Sequence, residues 1–384
     1  MKKICIITTV AVTLESFVVE TAKNLYKTEG YDITLICDNN PDFTATLPEY
    51  IRYIPVKMGR GIDFKGLGSM NQLRKIFKKE KFDLVQYSTP NASCYASIAA
   101  FFARVPIRVY AQWGIRYVGL NGFSRKVFKA IEKIVCRLST HIRAVSPKNM
   151  QFGIDEKLYK QKKVSVIGNG GTIGVDMNDY NLASKEIWRC EIRKKYSVTA
   201  NDFLFGFAGR ISADKGCAEL LTAFKTFCET NNNVKLMIIG PKEENCGIDR
   251  ELLNWAENSQ KVIFTDRVDK NDMKVYYSAL DVLVHPTYRE GFGMVIQEAG
   301  ALAIPVITTN VPGASEVMEK DVSCLLVAPK NAGELQSAMR LLAENPDKIA
   351  ALGVAAFERT KKLYARPIML ENQRIDYKKL LGGA

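Results

Sequence analysis

The feature that most constrains this chain is an alternation along most of its length. Short apolar runs rich in β-branched residues are separated by segments with helical spacing. Lys3–Thr9 (KICIITT), Asp32–Asp38, Ile51–Val56 and Leu84–Tyr87 are runs of the first kind. Between them, Ser16–Tyr26 sets Phe17, Val18, Thr21, Ala22 and Leu25 on one helical face, and Asn71–Glu80 (NQLRKIFKKE) is amphipathic. A strand that is apolar throughout needs cover on both faces, so strands alternating with helices predict a doubly wound parallel sheet, an α/β fold. The pattern resumes beyond residue 200 with Phe203–Gly209, a helix over Cys217–Thr230, then Val234–Gly240, Val262–Phe264 and Val282–His285. At 384 residues the chain is long enough for two such domains. Four glycines within residues 168–174 mark a hinge or ligand-facing loop, and the boundary is placed there: 1–167, then 168–364, with 365–384 as a last helical segment.

Charge and cysteine use narrow the function classes. Residues 1–168 hold 27 of the 54 Lys+Arg and 13 of the 41 Asp+Glu, a balance of +14, while the remainder comes to −1. A basic half implies an anionic partner: a membrane surface, a polyphosphate carrier or nucleic acid. The most basic amphipathic segment, Ser124–Leu138 (SRKVFKAIEKIVCRL), is either a solvated surface helix or one that lies against an anionic membrane. Nine cysteines occur without a C-x-x-C pair, and there are only two histidines, His141 and His285. That argues against zinc and for a reducing cytoplasm. The start, MKKICIITTVAVTLESF, has a short apolar stretch broken by threonines and Glu15, so it is read as a first strand rather than a signal peptide. No run approaches the roughly 18 uncharged apolar residues of a membrane span.

The stretch His285–Met318 carries the chemistry. A loop, Arg289-Glu290-Gly291-Phe292-Gly293, leads into an apolar helical run holding Gln297 and Glu298, and Pro305 then hands over to a strand, Val306-Ile307-Thr308. Glycines at 291 and 293 let backbone approach a ligand, and a helix start favours anions. Carboxylates beside a phosphate would be repelled, so Glu290 and Glu298 fit better as acceptors from neutral hydroxyls of sugar and ribose.

This E-G-F-G-x-x-x-x-E-A block followed by P-V-I-x-T resembles the donor-site signature of the retaining glycosyltransferases of family 4, the glycosyl transferases group 1. Those of polysaccharide assembly that act on lipid-linked sugars resemble it most. The resemblance is strong over residues 165–320 and loose over 1–160. It implies the GT-B fold: two Rossmann-like doubly wound domains facing a cleft, the first taking the acceptor and the second the nucleotide sugar. The last helix would cross back to the first domain. In Gly209-Arg210-Ile211-Ser212-Ala213-Asp214-Lys215-Gly216 the family's G-R-x-x-x-x-K-G is matched, which implies that Arg210 and Lys215 grip the donor diphosphate. A planar fork of donors and a compact point charge suit a diphosphate that gains charge as it leaves. The same resemblance implies that Glu290 binds a donor-sugar hydroxyl, Glu298 the ribose, Gly291, Phe292 and Gly293 the diphosphate, and Arg267 and Val268 the base. Arg210, Lys215 and Glu290 are the implied catalytic residues. No cofactor or metal is expected, only a nucleotide-sugar co-substrate, with UDP-sugar as the expected donor, and no Asp-x-Asp pair occurs.

Two departures stand out. The loop after the first strand, Thr8–Leu14, lacks the paired glycines of relatives and is a poor phosphate cradle. Trp113 stands where relatives have a histidine, so no imidazole role is assigned there; it packs against a sugar ring or simply packs. His285 is expected to be packed or hydrogen-bonded. The reading is a retaining hexosyltransferase that acts on a polyprenyl-diphosphate-linked sugar at the cytoplasmic face of the membrane, in capsule, O-antigen (lipopolysaccharide) or exopolysaccharide assembly. The first domain would provide peripheral membrane association, with no nucleic acid bound. Two other classes stay open: a GT-B sugar-nucleotide epimerase, which needs acid/base residues in the cleft, and a basic membrane- or nucleic-acid-binding protein without transferase activity.

Overall fold

The computed structural model describes residues 1–59, 66–244 and 246–382. They form two compact units, Met1–Ile173 with Pro367–Ala384, and Gly174–Arg366.

The sheet of the first unit contains β1 (Lys3–Ile7), β2 (Asp32–Cys37), β3 (Ile51–Pro55), β4 (Leu84–Tyr87), β5 (Ile107–Gln112), β6 (His141–Ala144) and β7 (Val164–Val166). Its order is β3-β2-β1-β4-β5-β6-β7, with every pair parallel. The period of two along each strand divides its side chains between two cores. Ile4 and Ile6 of β1 pack with Ile33 and Leu35 on one face. Cys5 and Ile7 pack with Val85 and Tyr87 on the other, under Leu73 and Phe77 of the helix Gly66–Glu80. This two-sided cover is why these strands are apolar throughout.

The second unit holds β8 (Phe203–Ala208), β9 (Val234–Ile239), β10 (Val262–Phe264), β11 (Val282–His285), β12 (Val306–Thr309) and β13 (Cys324–Val327). Its sheet, ordered β10-β9-β8-β11-β12-β13, is also parallel throughout. Both sheets reverse their strand order beside the first strand, between β1 and β4 and between β8 and β11. At such a switch point the outgoing loops diverge and leave a crevice beyond the carboxyl ends of the strands.

Two expectations need correction. The segment after β1 is not an open loop: Ala11–Phe17 is a helix, followed at once by the helix Val19–Glu29, because Ala11 and Leu14 find buried positions. The glycine-rich turn belongs to the first unit up to Ile173, six residues past the expected boundary. Gly171 N–H donates to the Val145 carbonyl and ties that turn to the first sheet. The last helical segment is the helix Arg366–Leu380, with Pro367 in its first turn, where no amide donor is missed. That helix packs on the first unit: Tyr377 is buried and its hydroxyl donates to Gln86 Oε1 at 2.8 Å. Residues 310–318 form a chain of turns. Trp113 rests on Phe17, ring centroids 5.5 Å apart.

Candidate functional site

The switch point of the second unit gathers the charges. The chain leaves β8 through Gly209–Gly216 and leaves β11 through Pro286–Gly293. The two loops must touch, and Gly216 permits it: at φ +70° a Cβ there would lie 2.0 Å from the Pro286 carbonyl oxygen. Two ion pairs then bridge the loops. Lys215 Nζ lies 2.7 Å from Glu290 Oε2, and Arg289 Nη2 lies 2.8 Å from Asp214 Oδ2. Ser212 Oγ also donates to Asp214, at 2.7 Å.

Glu290 is the hub. Its Oε2 also lies 3.0 Å from Nε2 of His285, the last residue of β11, which is 1% exposed. Burial would raise the Glu290 carboxyl, but the His285 hydrogen bond and the Lys215 charge outweigh it and hold the group far below the usual carboxylate range. Burial pushes His285 the other way and keeps the ring neutral. A neutral ring facing a carboxylate carries its proton on Nε2 and donates it, which leaves Nδ1 as a lone-pair acceptor. Among the described residues Nδ1 has no partner, which agrees with that tautomer.

Arg210 is half exposed and paired with Glu243, on the segment after β9. The helix Met294–Ala301 begins beside this cluster with Gly293 as its left-handed cap, φ +42°. The turn at Gly313 presses so closely on the Pro286–Gly293 loop that a Cβ would lie 2.2 Å from the Gly291 oxygen. Phe292 is buried edge-on against Tyr364, centroids 5.5 Å apart, so its ring is part of the core. With the ring buried, what Phe292 can offer a ligand is its backbone, the contact expected of Gly291–Gly293.

Glu298 stands in a different environment. Tyr277 donates to its Oε2 at 3.0 Å and Tyr180 adds a second hydrogen bond. Burial outweighs both and pushes the carboxyl up to about 7. Arg267 is exposed and Val268 half-buried just past β10. That strand is at the edge of the sheet, separated from β8 by β9, so these two residues stand away from the Lys215–Glu290 cluster.

The sequence missed Glu243, Asp214, Arg289, Tyr180 and Tyr277. Only Asp214 and Arg289 left a signal, each being adjacent to a residue already singled out. His285 is the packed, hydrogen-bonded histidine expected, but its partner Glu290, five residues on, was not foreseen.

The chain also matches known proteins. The glycosyl transferases group 1 model matches residues 189–359, and a glycosyl transferase 4-like model matches residues 3–146. The capsular polysaccharide biosynthesis glycosyltransferase CapM of Staphylococcus aureus is 33% identical over 76% of this chain and 74% of its own length. The chain belongs to the glycosyl transferases group 1 family. This glycosyltransferase is also 26% identical to the Escherichia coli UDP-Gal:alpha-D-GlcNAc-diphosphoundecaprenol alpha-1,3-galactosyltransferase, over 79% of the chain and 78% of that protein. In fold it is similar to Anabaena Alr3699/HepE, solved with UDP and glucose, at TM-score 0.79 and 20% identity over 99% of both chains. It is likewise similar to WaaG, a glycosyltransferase involved in lipopolysaccharide biosynthesis, at TM-score 0.74 and 15% identity over the full length of both. The fold of this glycosyltransferase is therefore GT-B.

Proposed function

We propose that this glycosyltransferase is a retaining hexosyltransferase that uses a UDP-sugar and extends a polyprenyl-diphosphate-linked sugar in capsule, O-antigen or exopolysaccharide assembly. The observation that carries the reading is the Lys215–Glu290–His285 cluster with Arg210 beside it, at the switch point where an α/β sheet receives ligands. Arg210 and Lys215 neutralise the diphosphate as the bond to the sugar breaks, the task a divalent ion would otherwise perform. Glu290, held ionised and oriented by His285, accepts from a sugar hydroxyl. Glu298 accepts from the ribose. Arg267–Val268 border the base, and the helix start after Gly293 adds its positive end. The acceptor hydroxyl attacks from the face the diphosphate leaves, and the leaving phosphate takes its proton, so no protein base is assigned. The name of the Escherichia coli relative supports the UDP donor and the lipid-linked acceptor, and that of CapM supports capsule assembly.

The first unit is proposed to take the acceptor and to rest on the inner face of the cell membrane. Among the described residues no helix is long and apolar enough to cross a membrane. On the helix Gly122–Leu138 the buried positions are Val135 and Cys136. Phe123, 81% exposed, together with Val127 and Ile134, shares the outer stripe with Lys126, Lys133 and Arg137. Apolar and cationic side chains mixed on one exposed stripe suit an anionic interface.

The test is thermal stabilisation by UDP, GDP and their sugars, in wild type and Glu298→Ala, with EDTA present and absent. A ligand at about a hundredfold over its Kd stabilises by about 2.7 kcal/mol. A shift with UDP that survives EDTA and weakens in the variant is expected. No shift with any nucleotide would overturn the donor site.

A further inference from the structure

A second charged concavity lies in the first unit, at the opposite end of its sheet from the switch point. His141 begins β6 and Val164 begins β7, and beside them the last helix lays Asp376 and Lys379. Together with Arg143, Lys162 and Lys163 they line a pocket of about 280 Å³. Four cations thus surround one carboxylate. Two of the cations have structural duties that fix them in the wall. Arg143 Nε lies 2.8 Å from Asp376 Oδ2, and Lys163 Nζ donates to the carbonyls of Cys136 and Arg137 at 2.6 and 2.9 Å. Lys162 and Lys379 are exposed on the rim. The fold therefore holds two positive charges in place and adds two mobile ones around a hollow too large for a single water.

We propose that this pocket binds a phosphate-bearing ligand, either a soluble diphosphate or the headgroup of an anionic lipid. Lysines suit phosphate as compact point charges, and the fixed pair Arg143–Asp376 cancels internally, so the surplus charge is carried by Lys162, Lys163 and Lys379. The site is built from residues of the first unit alone and does not depend on the transferase reading.

His141 reports on it. Its Nδ1 lies 3.0 Å from Thr140 Oγ1, and that hydroxyl can give its own proton to the Arg108 carbonyl at 3.0 Å. The neutral ring then keeps its proton on Nδ1, and Nε2 is the nitrogen that titrates. Burial, Arg143 and Lys163 hold the ring below its ordinary value, against the pull of Asp376. Lys162 and Lys379 complete the charges that line the pocket. An anion seated among them must raise it.

The chain has only two histidines and His285 is buried, so proton NMR of the imidazoles resolves His141. One arm titrates pH with and without pyrophosphate, against potassium chloride of equal ionic strength. The other measures co-sedimentation with phosphatidylglycerol vesicles, phosphatidylcholine vesicles being the blank. The rim variant Lys162→Ala/Lys379→Ala is run in both, its fold checked by an unchanged His285 resonance. A rise in His141 midpoint with pyrophosphate beyond that with chloride, lost in the variant, assigns a soluble ligand. Vesicle binding weakened about tenfold or more by the variant, with no pyrophosphate response, assigns the headgroup. No response in either arm, or equal shifts with pyrophosphate and chloride, overturns the site.

Discussion

The two units share a strand order and differ in what they place at its reversal. Between β8 and β11 stand Lys215, Glu290, Asp214 and Arg289, cross-paired at 2.7 and 2.8 Å. The matching position between β1 and β4 is neutral: Thr9 Oγ1 meets Thr89 Oγ1 at 2.8 Å, and Thr9 N–H donates to the same oxygen at 3.1 Å. Yet residues 1–168 carry +14, and the remainder, which contains the charged cluster, comes to −1. The net charge of a half therefore says nothing about its switch point. In the basic half the excess is spent on the surface, on the helix Gly122–Leu138 and around the His141 pocket. In the neutral half opposite charges cancel in the total while they concentrate at one place. Bulk charge points to partners, and local pairing points to chemistry.

The sharpest way to break this contrast is to substitute both switch points. Lys215→Ala should lower transfer about 10²–10³-fold, the size expected when one preorganised charge is removed from a developing anion. Thr9→Val should cost no more than about tenfold, the worth of one neutral hydrogen bond. Steady-state rates with a UDP-sugar, checked against melting curves, decide it. Equal losses would mean that the hydroxyl pair is as much a part of the machinery as the charges.

The surface charge of the first unit gives the next largest effect. Near an anionic bilayer each Lys or Arg contributes about 1 kcal/mol. Substituting alanine for Lys126, Lys133 and Arg137 together should weaken binding to phosphatidylglycerol vesicles roughly a hundredfold at low salt, and should leave UDP affinity unchanged. Unaltered vesicle binding would return this helix to the role of a solvated surface element.

Glu298 sharpens the comparison within the charged unit. Its carboxyl titrates at about 7, above the ordinary 4.5, because burial disfavours the ion. A raised value means that the stabilising protonated form persists below the unfolded value and is lost as pH rises through 7. Glu298→Gln, which cannot ionise, should therefore gain relative to wild type by roughly 1–3 kcal/mol between pH 6 and 9, and show no difference near pH 4. Parallel melting curves of the two proteins across that range would refute the buried-ion account.

Much of this was legible in the chain. The alternation of strands and helices and the switch to a strand after Pro305 follow from local rules of period and turn chemistry, whereas the pairs Arg210–Lys215 and Glu290–Glu298 were legible only through the resemblance to the family's motifs. The helix Cys217–Thr230 and the strands Val262–Phe264 and Val282–His285 lie where periodicity puts them. What was not legible is of two kinds. The helix Ala11–Phe17 was hidden because its short apolar pattern looks like a loop until the sheet offers Ala11 and Leu14 a place. The partners of the charged residues were hidden because they come from other segments of the chain: Glu243 follows β9, Tyr277 lies on the helix Met273–Ser278, and Tyr180 precedes the second sheet. Even His285, five residues from Glu290, revealed its partner only when the end of β11 set its side-chain direction.

The smallest effect tests whether the cluster is arranged for a ligand or only for itself. Arg210 and Glu243 pair on the surface, about half and two-fifths exposed. A diphosphate that engages Arg210 must displace that carboxylate, so part of the binding energy replaces an interaction the empty site already has. Exposed pairs of this kind contribute about 0.2–1 kcal/mol, so Glu243→Gln should tighten UDP binding by up to about fivefold, measured by calorimetry. The gain should shrink as salt shortens the screening length. Asp376→Asn is the control in the first unit. It breaks the half-buried pair with Arg143 that ties the last helix to β6, so it should cost stability and leave UDP affinity where it was. Weaker binding in Glu243→Gln would mean that the carboxylate holds Arg210 in position instead of competing for it, and the second switch point would then be preorganised on both sides of the ion pair.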